Sequence, residues 1–232
     1  MMPVESDNGV QLSIAGKKVV VHASSSSNAP IVYLNGHEDD IGATWQALRE
    51  LEAPDFTLVN ISGLDWNSDM TPWVADPIVS SGGAFLGGAD RYIDVLVHQI
   101  IPAVESRLEQ KPSWRGLAGY SLSGLFAIYA PYRTDAFSRV ASMSGSMWFP
   151  GFCEYAESHE MKGIPDAIYM SLGSKERWAK NPIVKTVQDQ TEKLFEMFRA
   201  MGTDCTFELN PGGHFSNVNG RTAKGIKWIL ER

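Results

Sequence analysis

The serine at position 121 sits in Gly119-Tyr120-Ser121-Leu122-Ser123-Gly124, after the short apolar run Gly116-Leu117-Ala118 and before a helix-like run over 122–130. A serine at a strand-to-helix turn, with small residues two before and two after it, has the pattern of a nucleophile elbow. The reason is steric: the tight turn lifts the hydroxyl above the sheet, and bulky side chains at 119 and 123 would strike the adjoining strand and helix. Ser121 fits this better than Ser123, because Leu125 would then fill the second small position. The plain alternative is a Gly/Ser-rich turn without chemistry.

A serine hydroxyl is a weak nucleophile at neutral pH and needs a neighbouring base. Of the five histidines, His22 falls inside an expected strand, His98 in mid-helix and His159 in a charged loop. His37 follows an early strand and is placed to line a pocket. His214 follows Asn210-Pro211-Gly212-Gly213, directly after the last expected strand, and it comes after the serine in the chain. It is the expected base. The acid that orients it should follow a strand between 121 and 214. Glu176, in Gly173-Ser174-Lys175-Glu176, is the first carboxylate after the strand expected at 167–172. Asp166 and Asp204 sit at the wrong strand ends, and Asp189 is inside a helix. A Ser-His dyad without an essential acid is the alternative. An oxyanion hole needs two backbone N–H groups aimed at the developing charge. Leu122 should supply one, and Gly36 or His37 the other.

These residues need a scaffold that brings strand ends together. Val10–Ile14 and 17–23 read as a hairpin around Ala15-Gly16. Strands are expected at 31–34, 56–61, 139–144, 167–172 and 206–209, besides the one leading into the elbow. Helices are expected at 41–51, 89–109 with a kink or break at Pro102, 122–130, 182–201 and Val218–Leu230. Alternation of strand and helix from residue 31 onward implies a mostly parallel central sheet with helices on both faces. Ligands bind such sheets beyond the carboxyl ends of the strands. The irregular segments 62–88 and 145–165 are the expected pocket-forming loops within one α/β domain over 1–232.

Composition narrows the function. The chain has 232 residues, a net charge of −7 and 44% hydrophobic residues, enough for a sizeable core. With its cations scattered and no basic run, nucleic acid is not an expected partner. Two cysteines, Cys153 and Cys205, form no metal-ligand cluster, and neither metal nor cofactor is expected. No secretory signal pattern and no apolar run of about 18 residues appears, so a cytoplasmic location without a membrane span is expected.

Taken in order, several pieces resemble the esterase branch of the α/β-hydrolases that includes esterase D-like enzymes and trilactone (enterochelin-type) siderophore esterases. They are Ile31-Val32-Tyr33-Leu34-Asn35-Gly36, Asp65-Trp66-Asn67-Ser68-Asp69-Met70-Thr71-Pro72-Trp73, Gly87-Gly88-Ala89-Asp90-Arg91-Tyr92 with Ile100-Ile101-Pro102, the elbow itself, Ser144-Gly145-Ser146-Met147-Trp148, Leu172-Gly173-Ser174-Lys175-Glu176 and Gly212-Gly213-His214. The resemblance implies an α/β-hydrolase fold and a serine esterase with Ser121 as nucleophile, His214 as base and Glu176 as acid. It makes Trp66, Trp73, Tyr120, Met147 and Trp148 the expected substrate-binding residues, although small-domain tryptophans also serve as core. Ser123 stands where the family usually has glycine, and Ser144-Gly145-Ser146 replaces a common Ser-Pro-Ser.

The expected function is hydrolysis of a small-molecule carboxylic ester through an acyl-enzyme, of siderophore or aryl type. An acyltransferase on the same fold differs only in the acceptor admitted. A binding module with a vestigial hydrolase site is the rival from another class, supported only by the serine at 123.

Overall fold

The computed structural model describes residues 9–37, 41–78 and 82–232. Strands β1 (Val10–Ile14) and β2 (Lys17–His22) form an antiparallel hairpin. Its two-residue turn, Ala15 and Gly16, has positive φ at both positions, the backbone twist that two-residue hairpins favour. Then follow β3 (Ile31–Asn35), α1 (Ile41–Glu50) and β4 (Thr57–Ser62). A short helix α2 (Trp66–Asp69) and a small ribbon of β5 (Val74–Ala75) with β6 (Phe85–Leu86) lie within the segment expected to be irregular. Next come α3 (Ala89–Val95), α4 (Ile101–Glu105), β7 (Arg115–Tyr120), α5 (Leu122–Tyr129), β8 (Arg139–Met143) and α6 (Phe152–Ser158). The chain closes with β9 (Ala167–Gly173), α7 (Val187–Ala200), β10 (Asp204–Asn210) and α8 (Val218–Leu230).

Eight strands make one sheet in the order β1-β2-β4-β3-β7-β8-β9-β10. Pairing is parallel from β4 through β10, and antiparallel only at the β1–β2–β4 edge. The central strands are buried on both faces, so they read as continuous apolar runs. Their side chains alternate between two cores: Ile31, Tyr33, Leu117, Val140, Ile168 and Met170 pack on one face, while Val32, Leu34, Ala118, Ala141, Met143 and Tyr169 pack on the other. Helices α1 and α8 cover the second face, and α3 to α7 cover the first.

The structure revises three expectations. Pro102 has no N–H to offer the carbonyl of His98. The helix absorbs this without a break, in one π-helical turn, Leu96–Ile100, and it ends at Glu105, short of 109. The stretch 145–165 contains α6, whose buried Phe152, Cys153 and Ala156 form an apolar stripe. Asp204 opens the last strand instead of preceding it, but still at the end opposite His214.

Candidate active site

β7 delivers Ser121 at its carboxyl end, and α5 begins at the next residue. Ser121 has φ 62° and ψ −123°, a conformation costing a non-glycine residue about 1–3 kcal/mol. The turn is tight enough that a Cβ on Gly119 would lie 2.2 Å from the Ser123 carbonyl oxygen. Ser123 itself is fully buried yet satisfied. Its Oγ accepts from the Tyr120 N–H at 2.8 Å and lies 2.9 Å from the Asn35 carbonyl oxygen. The serine at 123 therefore leaves the elbow intact.

His214 is carried by the turn after β10. Its Nε2 lies 3.0 Å from Ser121 Oγ, and its Nδ1 lies 2.8 Å from Glu176 Oε2. An ionised carboxylate only accepts hydrogen bonds, so Nδ1 carries the proton and Nε2 is left to accept from the serine. Gly173 lets this turn come down onto β9: a Cβ there would meet the Gly212 carbonyl oxygen at 2.6 Å.

Glu176 is buried, and its other oxygen, Oε1, accepts from the Gly173 N–H at 2.6 Å, the Ser144 hydroxyl at 2.7 Å and Arg221 Nη2 at 3.1 Å. Burial pushes the carboxyl up, but the hydrogen bonds from His214, Ser144 and Gly173 win and hold it at about 2. The group is thus an anion at any pH where the fold is used.

Arg221 was not singled out from the sequence. It lies on the buried face of α8 with 2% of its surface exposed, and its Nη1 also donates to the Gly213 and Ser216 carbonyls that flank His214. One side chain thus ties the acid to the turn that carries the histidine. A sequence signal existed: arginine occupies an apolar-stripe position, four residues before Gly225 and eight before Ile229.

Of the expected oxyanion donors, Leu122 is the first residue of α5, where N–H groups have no intrahelical acceptor. Gly36 is excluded, because its N–H continues the sheet ladder to the Ile61 carbonyl at 3.0 Å. The neighbouring His37 N–H finds no acceptor among the described residues. The His37 ring stacks on Trp66 at 4.3 Å.

A cavity of about 550 Å³ opens over Ser121, Leu122 and His214. Trp66, Ile78 and Phe85 from 62–88 line it, as do Ser146 and Trp148 from 145–165. Three other expected wall residues are elsewhere. Trp73 is packed among Tyr129, Phe149, Phe152 and Tyr155, and its Nε1 donates to the Pro150 carbonyl. Met147 is buried in the core. Tyr120 turns its hydroxyl to the His214 carbonyl at 2.6 Å, bracing the histidine turn instead of facing the cavity. The rest of the wall includes Lys175, Trp178, Val184 and Phe215, of which the sequence marked only Lys175. Trp178 and Phe215 are 76% and 85% exposed, so they stand at the rim. Asn181 Nδ2 donates to the Ile78 carbonyl at 2.5 Å, joining the two walls.

The parallel sheet with its antiparallel edge and the strained serine turn define an α/β-hydrolase. More narrowly, the chain belongs to the esterase family described as "Putative esterase", whose model matches residues 22–215. It is similar to the siderophore triacetylfusarinine C esterase of Aspergillus fumigatus, at 28% identity over 172 residues, covering 65% of this chain and 59% of that protein. Among solved structures it is similar to an IroE-like serine hydrolase from Shewanella oneidensis, with TM-score 0.78 and 22% identity over 93% of this chain and 76% of that one. It is likewise similar to the siderophore hydrolase EstA from Aspergillus nidulans, with TM-score 0.77 and 18% identity over 100% of this chain and 98% of that one. The fold class and the family expected from the sequence are those found, and the chain is a carboxylic ester hydrolase. Among the described residues no helix is long and apolar enough to cross a membrane.

Proposed function

We propose that Ser121 is the nucleophile of this esterase, His214 its general base and acid, and Glu176 the carboxylate that fixes the histidine tautomer. The observation that carries this is the unbroken chain Ser121 Oγ–His214 Nε2 and His214 Nδ1–Glu176 Oε2, at 3.0 and 2.8 Å. Ser121 Oγ attacks the ester carbonyl as its proton passes to His214 Nε2. The oxyanion sits against the N–H groups of Leu122 and His37. The protonated histidine then gives its proton to the leaving alkoxide. Water, deprotonated by the same nitrogen, attacks the acyl-enzyme, and the histidine returns that proton to Ser121 Oγ as the acid leaves. Glu176 stays ionised throughout and balances the imidazolium charge.

The substrate is a small-molecule ester with an aryl or otherwise bulky apolar group, of siderophore type. The aromatic walls Trp66, Phe85, Trp148 and Trp178 support the first part, and the likeness to a siderophore esterase and a siderophore hydrolase supports the second. The chain acts as one α/β-hydrolase domain in the cytoplasm, in keeping with its two free cysteines. Its net charge of −7 speaks against nucleic acid as a partner. The test is turnover of p-nitrophenyl butyrate by the wild type and Ser121→Ala. Loss of turnover in a folded Ser121→Ala supports the assignment, and retained turnover rejects it.

A further inference from the structure

The elbow of this chain carries a hydroxyl with a second task. Ser123 is buried at 0% exposure on the first turn of α5, and its Oγ touches two strands. It accepts from the Tyr120 N–H at 2.8 Å and lies within donating distance of the Asn35 and Tyr120 carbonyls, at 2.9 and 2.8 Å. Asn35 is the last residue of β3, and the peptide linking it to Gly36 leads to the His37 N–H. The N–H end of that peptide is held by the Ile61 carbonyl at 3.0 Å, and its carbonyl end faces β7 in the Asn35–Gly119 register, where Ser123 Oγ adds a further hydrogen bond. Gly36 meets no neighbour within 4 Å of a notional Cβ. A glycine restricts its own backbone little, so the anchors on either side of Gly36 are what hold His37 in place. One is the peptide clamped by Ser123 and Ile61, the other the stacking of the His37 ring on Trp66.

The geometry points to Ser123 as a positioning residue for the oxyanion hole, fixing the β3 end against the elbow so that the His37 and Leu122 N–H groups converge above Ser121. This rests on the esterase mechanism proposed above. An oxyanion donor contributes only when it is already aimed where the charge develops, and losing one costs about 10²–10³ in kcat. A donor that is displaced but still present should cost less, roughly 10- to 100-fold.

The test uses Ser123→Ala, with Ser123→Gly as a second variant in which a water can enter and bridge the Tyr120 N–H to the Asn35 carbonyl. kcat and KM are measured on p-nitrophenyl butyrate, together with the affinity for an alkyl trifluoromethyl ketone, which adds Ser121 to form an oxyanionic hemiketal. Thermal unfolding and fluorophosphonate labelling of Ser121 accompany them. The expected result for Ser123→Ala is a kcat lower by about 10- to 100-fold, KM within about 2-fold, and ketone affinity weakened by the same factor as kcat. Ser123→Gly should recover part of both. If kcat and ketone affinity stay within about 2-fold of wild type in folded Ser123→Ala, Ser123 does not position the hole. A lower unfolding temperature with ketone affinity unchanged assigns it a packing role only and overturns the inference. Wild-type protein that fails to label at Ser121 overturns instead the mechanism beneath it.

Discussion

Replacing Glu176 by glutamine should invert the tautomer of His214. Oε1 of Glu176 faces three donors, the Gly173 N–H, the Ser144 hydroxyl and Arg221 Nη2, at 2.6, 2.7 and 3.1 Å. An amide NH₂ cannot take that place without setting donor against donor, so the glutamine oxygen must occupy it. The NH₂ then falls where Oε2 was, 2.8 Å from His214 Nδ1. Facing a donor, Nδ1 becomes the acceptor, the ring proton moves to Nε2, and Nε2 points it at the Ser121 hydroxyl it should deprotonate. A wrong tautomer in otherwise intact geometry costs about 10⁴ in kcat. The assay is kcat on p-nitrophenyl butyrate for wild type and Glu176→Gln, with thermal unfolding to show that the variant is folded. A kcat within about 10-fold of wild type would refute the tautomer argument and leave a Ser-His dyad.

Three further predictions concern the same network and the cavity. The Glu176 carboxyl is held at about 2 in the fold against an ordinary 4.5, so its stabilisation is fully present above about pH 4.5 and is lost as pH falls toward 2. That depression is worth about 3 kcal/mol; urea unfolding should lose this contribution on acidification in the wild type but not in Glu176→Gln, and equal slopes would contradict it. Arg221→Met leaves the buried carboxylate without its cation and should destabilise the fold by about 3–5 kcal/mol, read as a lower denaturation midpoint; an unchanged midpoint would mean the pair is not a unit. Trp178→Ala should raise KM for aryl esters with little change in stability, whereas Trp73→Ala, which removes a half-buried ring packed on the core, should cost about 1–3 kcal/mol of stability; kinetics and thermal unfolding of both variants would expose a reversed pattern.

The sequence was most legible where chemistry imposes a steric or topological demand. Gly119 must be small because the Ser123 backbone lies against it. His214 is the one histidine placed after a late strand and beyond the serine in the chain. Alternation of strand and helix from residue 31 onward announced a parallel sheet covered on both faces. Legibility failed where the deciding fact is three-dimensional. Nothing in a tryptophan says which way it faces, so Trp73 and Trp178 could not be told apart, although one is packed among aromatic rings and the other stands at the rim. Gly36 met the local rule for an oxyanion donor, but the register of β3 on β4 had already engaged its N–H. Arg221 is distant in sequence from Glu176, and only the docking of α8 reveals that it joins the acid to the histidine turn. The helix α6 was obscured by Gly145, Pro150 and Gly151, which punctuate the chain just before it.

The central claim is that Ser121 is a nucleophile activated by His214. A fluorophosphonate probe, followed by peptide mass spectrometry, tests it most directly, since rapid phosphonylation requires a serine with a working base. The account predicts a single adduct, on Ser121 and not on Ser123, lost in a folded His214→Ala. No adduct on folded wild-type protein, or an adduct whose rate is indifferent to His214, would contradict it.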